Sequence, residues 1–332
     1  MLILNRKEVS ALLAQRELDL IRIVGSAYEA HSRGNSMLPH STFLRFPNNK
    51  SNRIIALPAY LGEGFEVAGI KWISSFPANV EKGLERASAA IILNSLESGR
   101  PEALIEGSII SAKRTAASAA LAAQRLHRSD NVAPTGVIGC GPINFEITRF
   151  LLAALPERRS FVVYDLDPER AKLFKKKCED NFNDISVELS SDIKSVIKNA
   201  SVVSFATSSI EPYVHDIEGR IPGSTILHIS LRDLSPQVIL AGDNIVDDVD
   251  HACRAQTSVH LAEQLSGNRD FIRCTLADIL TGNAPARRSD EDVAIFSPFG
   301  LGVLDLAVAK SVYELAREAN LGIFVESFLS DA

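Results

Sequence analysis

Gly139 and Gly141, separated by a single residue, stand between an apolar β-branched run and a helical pattern. This spacing permits a tight turn, close approach of the backbone to a pyrophosphate, and phosphate binding at the N-terminus of the following helix. Asn144 occupies the third glycine position of the usual fingerprint, so the glycines alone are a weak signal. The segment runs from a strand through the glycine turn and a helix to a second strand that ends in an acid. This is the order expected of a dinucleotide site, and it favours one here.

The acid is Asp165, which ends the second strand, 26 residues after Gly139. A carboxylate there accepts hydrogen bonds from ribose hydroxyls and repels a 2′-phosphate, and no arginine follows at once, so the sequence favours NAD over NADP. Thr207 and Ser208, after a later strand, lie either at the cofactor edge of the sheet or in an ordinary polar loop. The predicted cofactor site contains Gly139, Cys140, Gly141, Pro142, Ile143, Asp165, Thr207 and Ser208.

A second set of candidates is cationic and lies in the first third of the chain: Arg45, Arg53, Lys71, Arg86 and Arg114. Lys71 stands among apolar residues in Gly-Ile-Lys-Trp, where a lysine is costly unless it is paired or functional. Arginine holds carboxylates through a bidentate fork, which suits a small polyanion. The sequence does not show that these cations converge, and for each one alone a solvated surface position is the better explanation.

Short extended segments must position these cations. Residues 41–46, 53–60, 66–74, 87–94 and 102–106 are bounded by Pro, Gly, Asn or Ser, which predicts strands of a mixed or antiparallel sheet. A helical pattern runs from Val9 to Ala27, and an alanine-rich helix is predicted over 109–127.

From Asn131 the pattern changes to an alternation of strands and helices. Strands are predicted over 135–139, 160–165, 185–189, 201–207, 224–231 and 244–247, and helices over 144–155, 169–181 and 304–320. Apolar β-branched strands separated by helices are typical of a parallel sheet covered on both faces. The predicted fold class is therefore α/β, with a Rossmann domain and a mixed, β-rich second domain.

Composition limits the function classes. The chain has 332 residues, enough for about two domains, and a formal net charge of −6, which argues against nucleic acid or an anionic membrane as the main partner. Four scattered cysteines suit neither a disulfide framework nor a zinc site. Neither a signal peptide nor a membrane-spanning stretch is recognisable, so a cytoplasmic location is expected.

Four segments resemble the ornithine cyclodeaminase/mu-crystallin family over nearly the whole chain: Gly69-Ile-Lys71, Ser111-Ala-Lys-Arg114-Thr-Ala-Ala, Val137-Ile-Gly-Cys-Gly141 and Tyr164-Asp-Leu-Asp-Pro168. The resemblance implies a homodimer and an NAD that takes a hydride from an amino-acid α-carbon. It implies a Rossmann domain over 117–302, and a substrate and dimerisation domain over 1–116 that is completed by 303–332.

The resemblance also implies roles for individual residues. Arg45, Lys71 and Arg114 match positions that hold the substrate carboxylate, and Asp233 matches the family's catalytic carboxylate. Further residues are assigned to the cofactor on the same basis: Arg114, Thr115, Ser230 and Gly300.

Departures from the cyclodeaminase pattern point to an anionic substrate. Ile55 stands where ornithine cyclodeaminases carry a glutamate, and Leu231-Arg232-Asp233 replaces their Gly-Gly-Asp loop. Arg53-Ile-Ile-Ala-Leu-Pro58 and residues 85–94 resemble the siderophore-pathway branch that oxidises N-(2-amino-2-carboxyethyl)-L-glutamate to 2-oxoglutarate and L-2,3-diaminopropionate. Because that substrate has three carboxylates, Arg53 and Arg86 are predicted to bind the distal ones.

Several alternatives stay open. Either Lys71 or Asp233 is the base that deprotonates the substrate amine, and Asp233 assists water addition to the imine. A cyclodeaminase, another amino-acid dehydrogenase of the family, and a mu-crystallin-like protein that binds the dinucleotide without turnover are the competing functions. Asp247-Asp248-Val-Asp250-His251 has acids and a histidine that suit a divalent ion, but helix capping explains them better, and no metal is predicted.

Overall fold

The structure is a computed structural model that describes residues 1–128 and 130–329, apart from the side chain of Lys50. The chain divides into two units: the first comprises Met1–Arg114 with Leu301–Ala332, and the second comprises Thr115–Gly300. Within the described ranges, no helix combines the length and the apolar character that crossing a bilayer requires.

The elements are numbered in chain order. The first part of the chain forms β1 (Leu2–Leu4), α1 (Arg6–Leu12), α2 (Glu17–Ser32), β2 (Ser36–Met37), β3 (Thr42–Phe46), β4 (Asn49–Leu61), β5 (Val67–Ser75), a 3-10 helix (Pro77–Lys82), β6 (Ala87–Asn94), β7 (Pro101–Glu106) and α3 (Gly107–Leu126). The remainder forms β8 (Thr135–Ile138), α4 (Pro142–Ala154), β9 (Ser160–Tyr164), α5 (Pro168–Asn181), β10 (Ser186–Leu189), α6 (Ile193–Asn199), β11 (Val202–Phe205), β12 (Thr225–His228), α7 (Pro236–Ala241), β13 (Asp243–Val246), α8 (Val249–Ala252), α9 (Ser258–Ser266), β14 (Ile272–Thr275), α10 (Leu276–Leu280), β15 (Ala294–Ser297), α11 (Gly302–Glu318) and β16 (Ile323–Phe324).

The first unit is built on a mixed sheet with the strand order β16-β1-β7-β6-β5-β4-β2, and β3 pairs with β4. The long strands β4, β5 and β6 are antiparallel, and Leu57, Lys71 and Ile91 are directly paired across them. Side chains alternate between the two faces of a strand, so these three share one face. Helix α11 packs on β4, β5, β6 and α2.

The second unit is a parallel sheet with the order β10-β9-β8-β11-β12-β15-β13-β14. Val137 and Ile138 are neighbours on β8 but belong to different hydrophobic clusters, so apolar side chains cover both faces of this sheet. The strand order reverses between β8 and β11. In open α/β sheets, the carboxyl ends of the strands at such a reversal form the ligand-binding crevice.

The predicted fold class is confirmed: a parallel Rossmann sheet and a mixed β-rich unit are both present. The helical pattern from Val9 to Ala27 is divided between α1 and α2, since Gln15 adopts a left-handed φ of 58° between them. The short strands β1, β2, β14, β15 and β16 are not among the predicted strands.

Candidate active site

Lys71, Asp305 and Arg114 form a buried ionic cluster in the first unit. Lys71 Nζ lies 2.5 Å from Asp305 Oδ2, and Arg114 Nε donates to Asp305 Oδ1 at 3.0 Å. Lys71 Nζ also lies 3.4 Å from Ser111 Oγ. Lys71 is 2% exposed and Asp305 is 0% exposed, so the ion pairs are shielded from water.

Two glycines bring the helices that carry this cluster close to the sheet. A Cβ on Gly302, at the start of α11, would lie 3.3 Å from the Leu57 carbonyl oxygen. A Cβ on Gly107, at the start of α3, would lie 3.1 Å from the Ile91 side chain. Leu57 and Ile91 are the residues paired with Lys71 on either side, so both helices approach the sheet at Lys71.

The cluster contains two cations and one carboxylate, which leaves one formal positive charge. Burial lowers the pKa of Lys71 to about 8, although Asp305 raises it; the Arg114 guanidinium lowers it further. A lysine with this pKa is partly neutral near physiological pH and can both bind an anion and accept a proton.

Arg45, Arg53 and Arg86 lie at one end of the same sheet. Arg45 on β3 is directly opposite Arg53 on β4, and Arg53 is opposite Ser75. Arg86 precedes β6 and accepts a backbone hydrogen bond from Phe76, the residue after Ser75. Strand alternation places Arg45 and Arg53 on the face that carries Lys71.

Three arginines lie close to one another along the chain pairing at this end of the sheet, and the nearest acid in sequence is already paired. Arg45 and Arg53 place two cations directly opposite each other on neighbouring strands, an arrangement that is unfavourable for like charges. Burial lowers the pKa of Arg86. The adjacent acid, Glu85, is engaged by both terminal nitrogens of Arg6 at 2.7 Å. Among the described residues, neither Arg45 nor Arg86 makes an ion pair.

The glycine turn lies where the parallel sheet reverses its strand order. Gly139 has a φ of 90°, and a Cβ there would lie 2.6 Å from the Ala206 carbonyl oxygen at the end of β11. Only glycine suits this position. At Gly141, by contrast, a Cβ would meet no atom within 4 Å, so open space lies above the turn. Helix α4 begins here without a side-chain cap, which leaves its first amides to bind an anion.

Asn144 explains the missing third glycine. Its Nδ2 donates to the carbonyl oxygens of Ile138 at 2.9 Å and Gly139 at 2.7 Å, and its Oδ1 accepts from Ser204 Oγ at 2.7 Å. The side chain is fully buried. It therefore ties the glycine turn of β8 to the neighbouring strand β11.

Asp165 lies beside the same turn, where Oδ2 accepts from the Cys140 amide at 2.7 Å. Burial and the Asp165 charge raise the pKa of the Cys140 thiol to about 12, so the thiol is protonated near neutral pH. The glycine turn, the uncapped α4 and the carboxylate at the end of β9 fit a dinucleotide.

Asp233 lies at the centre of a second polar cluster. Its carboxylate accepts hydrogen bonds from Thr207 Oγ1 at 2.5 Å, Ser230 Oγ at 2.5 Å and Tyr213 Oη at 2.9 Å. His228 Nε2 lies 3.3 Å from Asp233 Oδ2. Burial opposes ionisation, but the hydrogen bonds and charge of His228, together with the Ser230 and Thr207 hydroxyls, lower the pKa of Asp233 to about 2.

Asp247 holds the loop that follows β15. Its carboxylate accepts from the amides of Phe299 at 2.8 Å, Gly300 at 2.7 Å and Asp248 at 2.9 Å. Asp248 caps α8 by accepting from the His251 amide, which is the helix-capping role expected for this acidic segment. Within the residues the structure describes, no three His, Cys, Asp or Glu side chains are grouped as a metal site.

The sequence-predicted residues thus fall into four groups. The structure groups Lys71 with Arg114; Arg45 with Arg53 and Arg86; Gly139, Cys140, Gly141, Pro142 and Ile143 with Asp165; and Thr207 with Ser230 and Asp233. Among the residues that the structure describes, no hydrogen bond joins Ser208 or Thr115 to these groups, and Gly300 is held by Asp247. Asp305 is not among the predicted site residues, although an aspartate amid the apolar residues of Val-Leu-Asp-Leu-Ala is as anomalous as Lys71.

Comparison with known proteins gives the family. The sequence profile of the ornithine cyclodeaminase/mu-crystallin family matches residues 1–320. The chain belongs to this family. The resemblance inferred from the four segments is thereby confirmed.

Similar proteins within the family differ in substrate. The chain is 29% identical to N-((2S)-2-amino-2-carboxyethyl)-L-glutamate dehydrogenase of Staphylococcus aureus, with 97% of each chain covered. It is 31% identical to an alanine dehydrogenase of Archaeoglobus fulgidus, with 98% of each covered. A solved structure of Thermococcus litoralis Δ1-pyrroline-2-carboxylate reductase with NADH and L-proline is 26% identical, with a TM-score of 0.89, covering 98% of this chain and 100% of that one.

Proposed function

We propose that this protein oxidises N-(2-amino-2-carboxyethyl)-L-glutamate to 2-oxoglutarate and L-2,3-diaminopropionate with NAD. The general class follows from the family and its similar members: the chain is an NAD-dependent oxidoreductase that acts on an amino or imino acid. The identity of the substrate is our proposal. The observation that carries it is the pairing of Arg45 with Arg53 on the face of Lys71.

The number and spacing of cations support a substrate with several carboxylates. Lys71 and Arg114 suit one carboxylate, since the cluster around Asp305 has one positive charge in excess. Arg53 lies four positions before Leu57, the residue opposite Lys71, which is roughly 13 Å along the strand. Alanine and pyrroline-2-carboxylate each have one carboxylate, so they offer no second anion to the arginines at this end of the sheet. The proposed substrate has three.

The reaction consumes one NAD and one water and yields 2-oxoglutarate, L-2,3-diaminopropionate, NADH and one proton. Bound NAD supplies the acceptor for the hydride that leaves the glutamyl α-carbon, and the substrate nitrogen then carries a protonated imine. Water adds to the imine carbon, and cleavage of the C–N bond releases the two products. The nitrogen must lose a proton before the hydride leaves, so the protein must provide a base.

We assign the base to Lys71 rather than to Asp233. The pKa of Lys71 is lowered to about 8, which makes its neutral amine accessible near neutral pH. The pKa of Asp233 is lowered to about 2, and its oxygens already accept from Thr207, Tyr213 and Ser230. Asp233 therefore orients these hydroxyls as a permanently ionised acceptor. Arg114 holds the substrate carboxylate, and positioning of this kind is a large part of the rate enhancement.

The test is a substrate panel read by NADH absorbance. Purified protein is given NAD with N-(2-amino-2-carboxyethyl)-L-glutamate, L-alanine, L-ornithine or L-proline. Stoichiometric NADH and diaminopropionate from the first compound support the proposal. Conversion of ornithine to proline without net NADH assigns a cyclodeaminase instead, and turnover of alanine or proline alone assigns a simple dehydrogenase. NAD binding without turnover of any amine assigns a dinucleotide-binding protein.

Assembly and location are proposed on separate grounds. We propose a homodimer because the family resemblance implies one, and because the outer face of the first sheet exposes the apolar side chains Leu44 and Trp72. Light scattering of the purified protein tests this. A cytoplasmic location agrees with the four cysteines, all of which are free. Fractionation of cells that express the protein tests that location.

A further inference from the structure

Asp305 makes contacts that a helix cap or a surface acid does not make. It is the fourth residue of α11, whose N-cap is Leu301. Both of its carboxylate oxygens bond to other elements: Oδ2 to Lys71 on β5, and Oδ1 to Arg114 on α3. It is fully buried, so the two ion pairs hold the carboxylate in one position.

The donors that Asp305 does not use are suited to a ligand. A lysine ammonium has three N–H groups, and Lys71 directs one at Asp305 and one at Ser111, which leaves one. Arg114 uses its Nε, and its two terminal nitrogens donate to no residue among those the structure describes. A free guanidinium edge beside an ammonium matches the bidentate geometry of a carboxylate.

We infer that Asp305 is a positioning residue that fixes Lys71 and Arg114 side by side, so that their remaining N–H groups bind one carboxylate of the substrate. The inference rests on the proposed function, because it names the residue that prepares that carboxylate site. The carboxylate of the ligand neutralises the excess positive charge of the cluster. The aspartate thus fixes the position of both cations without occupying the donors that the substrate needs.

The charged surroundings of Lys71 make the role of Asp305 measurable. Asp305 faces Lys71 from α11, and Arg114 faces it from α3 together with the uncharged Ser111. From β4 and β6 the paired residues are the apolar Leu57 and Ile91. Within the described ranges, Asp305 is thus the one carboxylate that contacts Lys71. Its removal leaves burial and Arg114, both of which favour the neutral amine.

The first experiment measures Lys71 without any substrate. Protein labelled with ¹³C at lysine Cε is titrated by NMR, and the Lys71 signal is identified by its loss in Lys71→Arg. In Asp305→Asn we expect the Lys71 midpoint to fall by at least one pH unit. The matched control is Glu314→Gln, which neutralises an exposed carboxylate on the same helix, paired with Lys310, and leaves the midpoint unchanged. An unchanged or raised midpoint in Asp305→Asn overturns the inference.

The second experiment measures steady-state kinetics with N-(2-amino-2-carboxyethyl)-L-glutamate. Asp305→Asn is expected to raise KM at least tenfold and to move the pH limb assigned to Lys71 to lower pH, whereas Glu314→Gln changes neither. Asp305→Glu keeps the charge but not the geometry. It should raise KM several-fold while the Lys71 midpoint moves by less than one unit. If Asp305→Asn does not fold, Asp305→Glu decides, and a wild-type KM in that variant overturns the inference.

The two experiments separate this inference from the proposed function. A lowered Lys71 midpoint together with no turnover of the proposed substrate refutes the substrate and retains Asp305; KM is then measured with the amino acid that is turned over. A constant midpoint together with turnover of the proposed substrate retains the function and refutes the role of Asp305.

Discussion

Gly302 lies against Leu57, close enough that a Cβ at Gly302 would be 3.3 Å from the Leu57 carbonyl oxygen. Leu57 is paired with Lys71, so the separation of helix and strand here sets the position of Asp305 relative to Lys71. We expect Gly302→Ala to raise KM for the carboxylate substrate several-fold and Gly302→Val to raise it tenfold or more, because the added atoms push α11 from the sheet.

Steady-state kinetics and thermal unfolding of both variants check this prediction. Glu318→Val, at the exposed last turn of the same helix, is the control and should keep the wild-type KM. A Gly302→Val variant with wild-type KM would show that α11 does not set the geometry of the cluster.

The two glycines of the nucleotide turn should respond differently to alanine. Gly139→Ala forces a left-handed φ on a Cβ residue and places that Cβ 2.6 Å from the Ala206 carbonyl oxygen. It should lower stability by about 1–2 kcal/mol or more and weaken NAD binding at least tenfold. Gly141→Ala meets no protein atom, so it should keep the wild-type melting temperature and lose only affinity for NAD. Thermal unfolding without NAD and calorimetric titration with NAD measure the two effects. Wild-type affinity in Gly141→Ala would place the pyrophosphate elsewhere.

Arg86 should contribute to substrate choice rather than to folding. Arg86→Met removes a half-buried cation that has no ion pair within the described ranges, and keeps most of the side-chain volume. We expect KM for N-(2-amino-2-carboxyethyl)-L-glutamate to rise about tenfold, and any slow oxidation of L-alanine, which has no distal carboxylate, to be unaffected. Arg22→Met, at an exposed site on α2, is the matched control. Equal losses with both substrates would assign Arg86 a structural role.

The buried ammonium of Lys71 should make stability depend on pH. The pKa of Lys71 is about 8 in the folded protein and 10.5 in its usual surroundings, so between these values the unfolded chain binds more protons. The free energy of unfolding therefore rises as the pH increases from 8 to 10.5, by about 3 kcal/mol over the whole window. Urea unfolding of the wild type and Lys71→Met across this range isolates the effect, since the methionine variant lacks this titration. Parallel pH dependences in the two proteins would contradict the burial of a charged Lys71.

The pattern of apolar residues predicted the fold class because the two sheets are built from different arrangements of strands and helices. The buried, β-branched strands β8, β9 and β11 alternate with helices, whereas β3 to β7 follow one another with short turns. The strand β14 has four residues and includes Arg273, which interrupts its apolar run, whereas β15 lies in the apolar run from Val293 to Phe296 and could have been recognised. A strand such as β14 is specified by its neighbours in the sheet rather than by its own composition.

The candidate site was partly predictable for a related reason. Lys71 was recognisable because a charge interrupts an apolar strand, and the same rule applied to α11 would have found Asp305. The partnership between them joins residues 234 positions apart, and only the folded chain shows it. The opposite placement of Arg45 and Arg53 likewise depends on the register between β3 and β4, which composition does not determine.

The role of Asn144 affects how similar dinucleotide-binding turns can be recognised from their sequences. A glycine at this position would remove two hydrogen bonds to the turn and leave the Ser204 hydroxyl without its acceptor. The substitution Asn144→Gly, which restores the consensus letter, should therefore lower the free energy of unfolding. A motif search that demands three glycines would pass over chains built in this way. Scanning instead for a buried amide after the second glycine, together with a serine on the adjoining strand, would retrieve them.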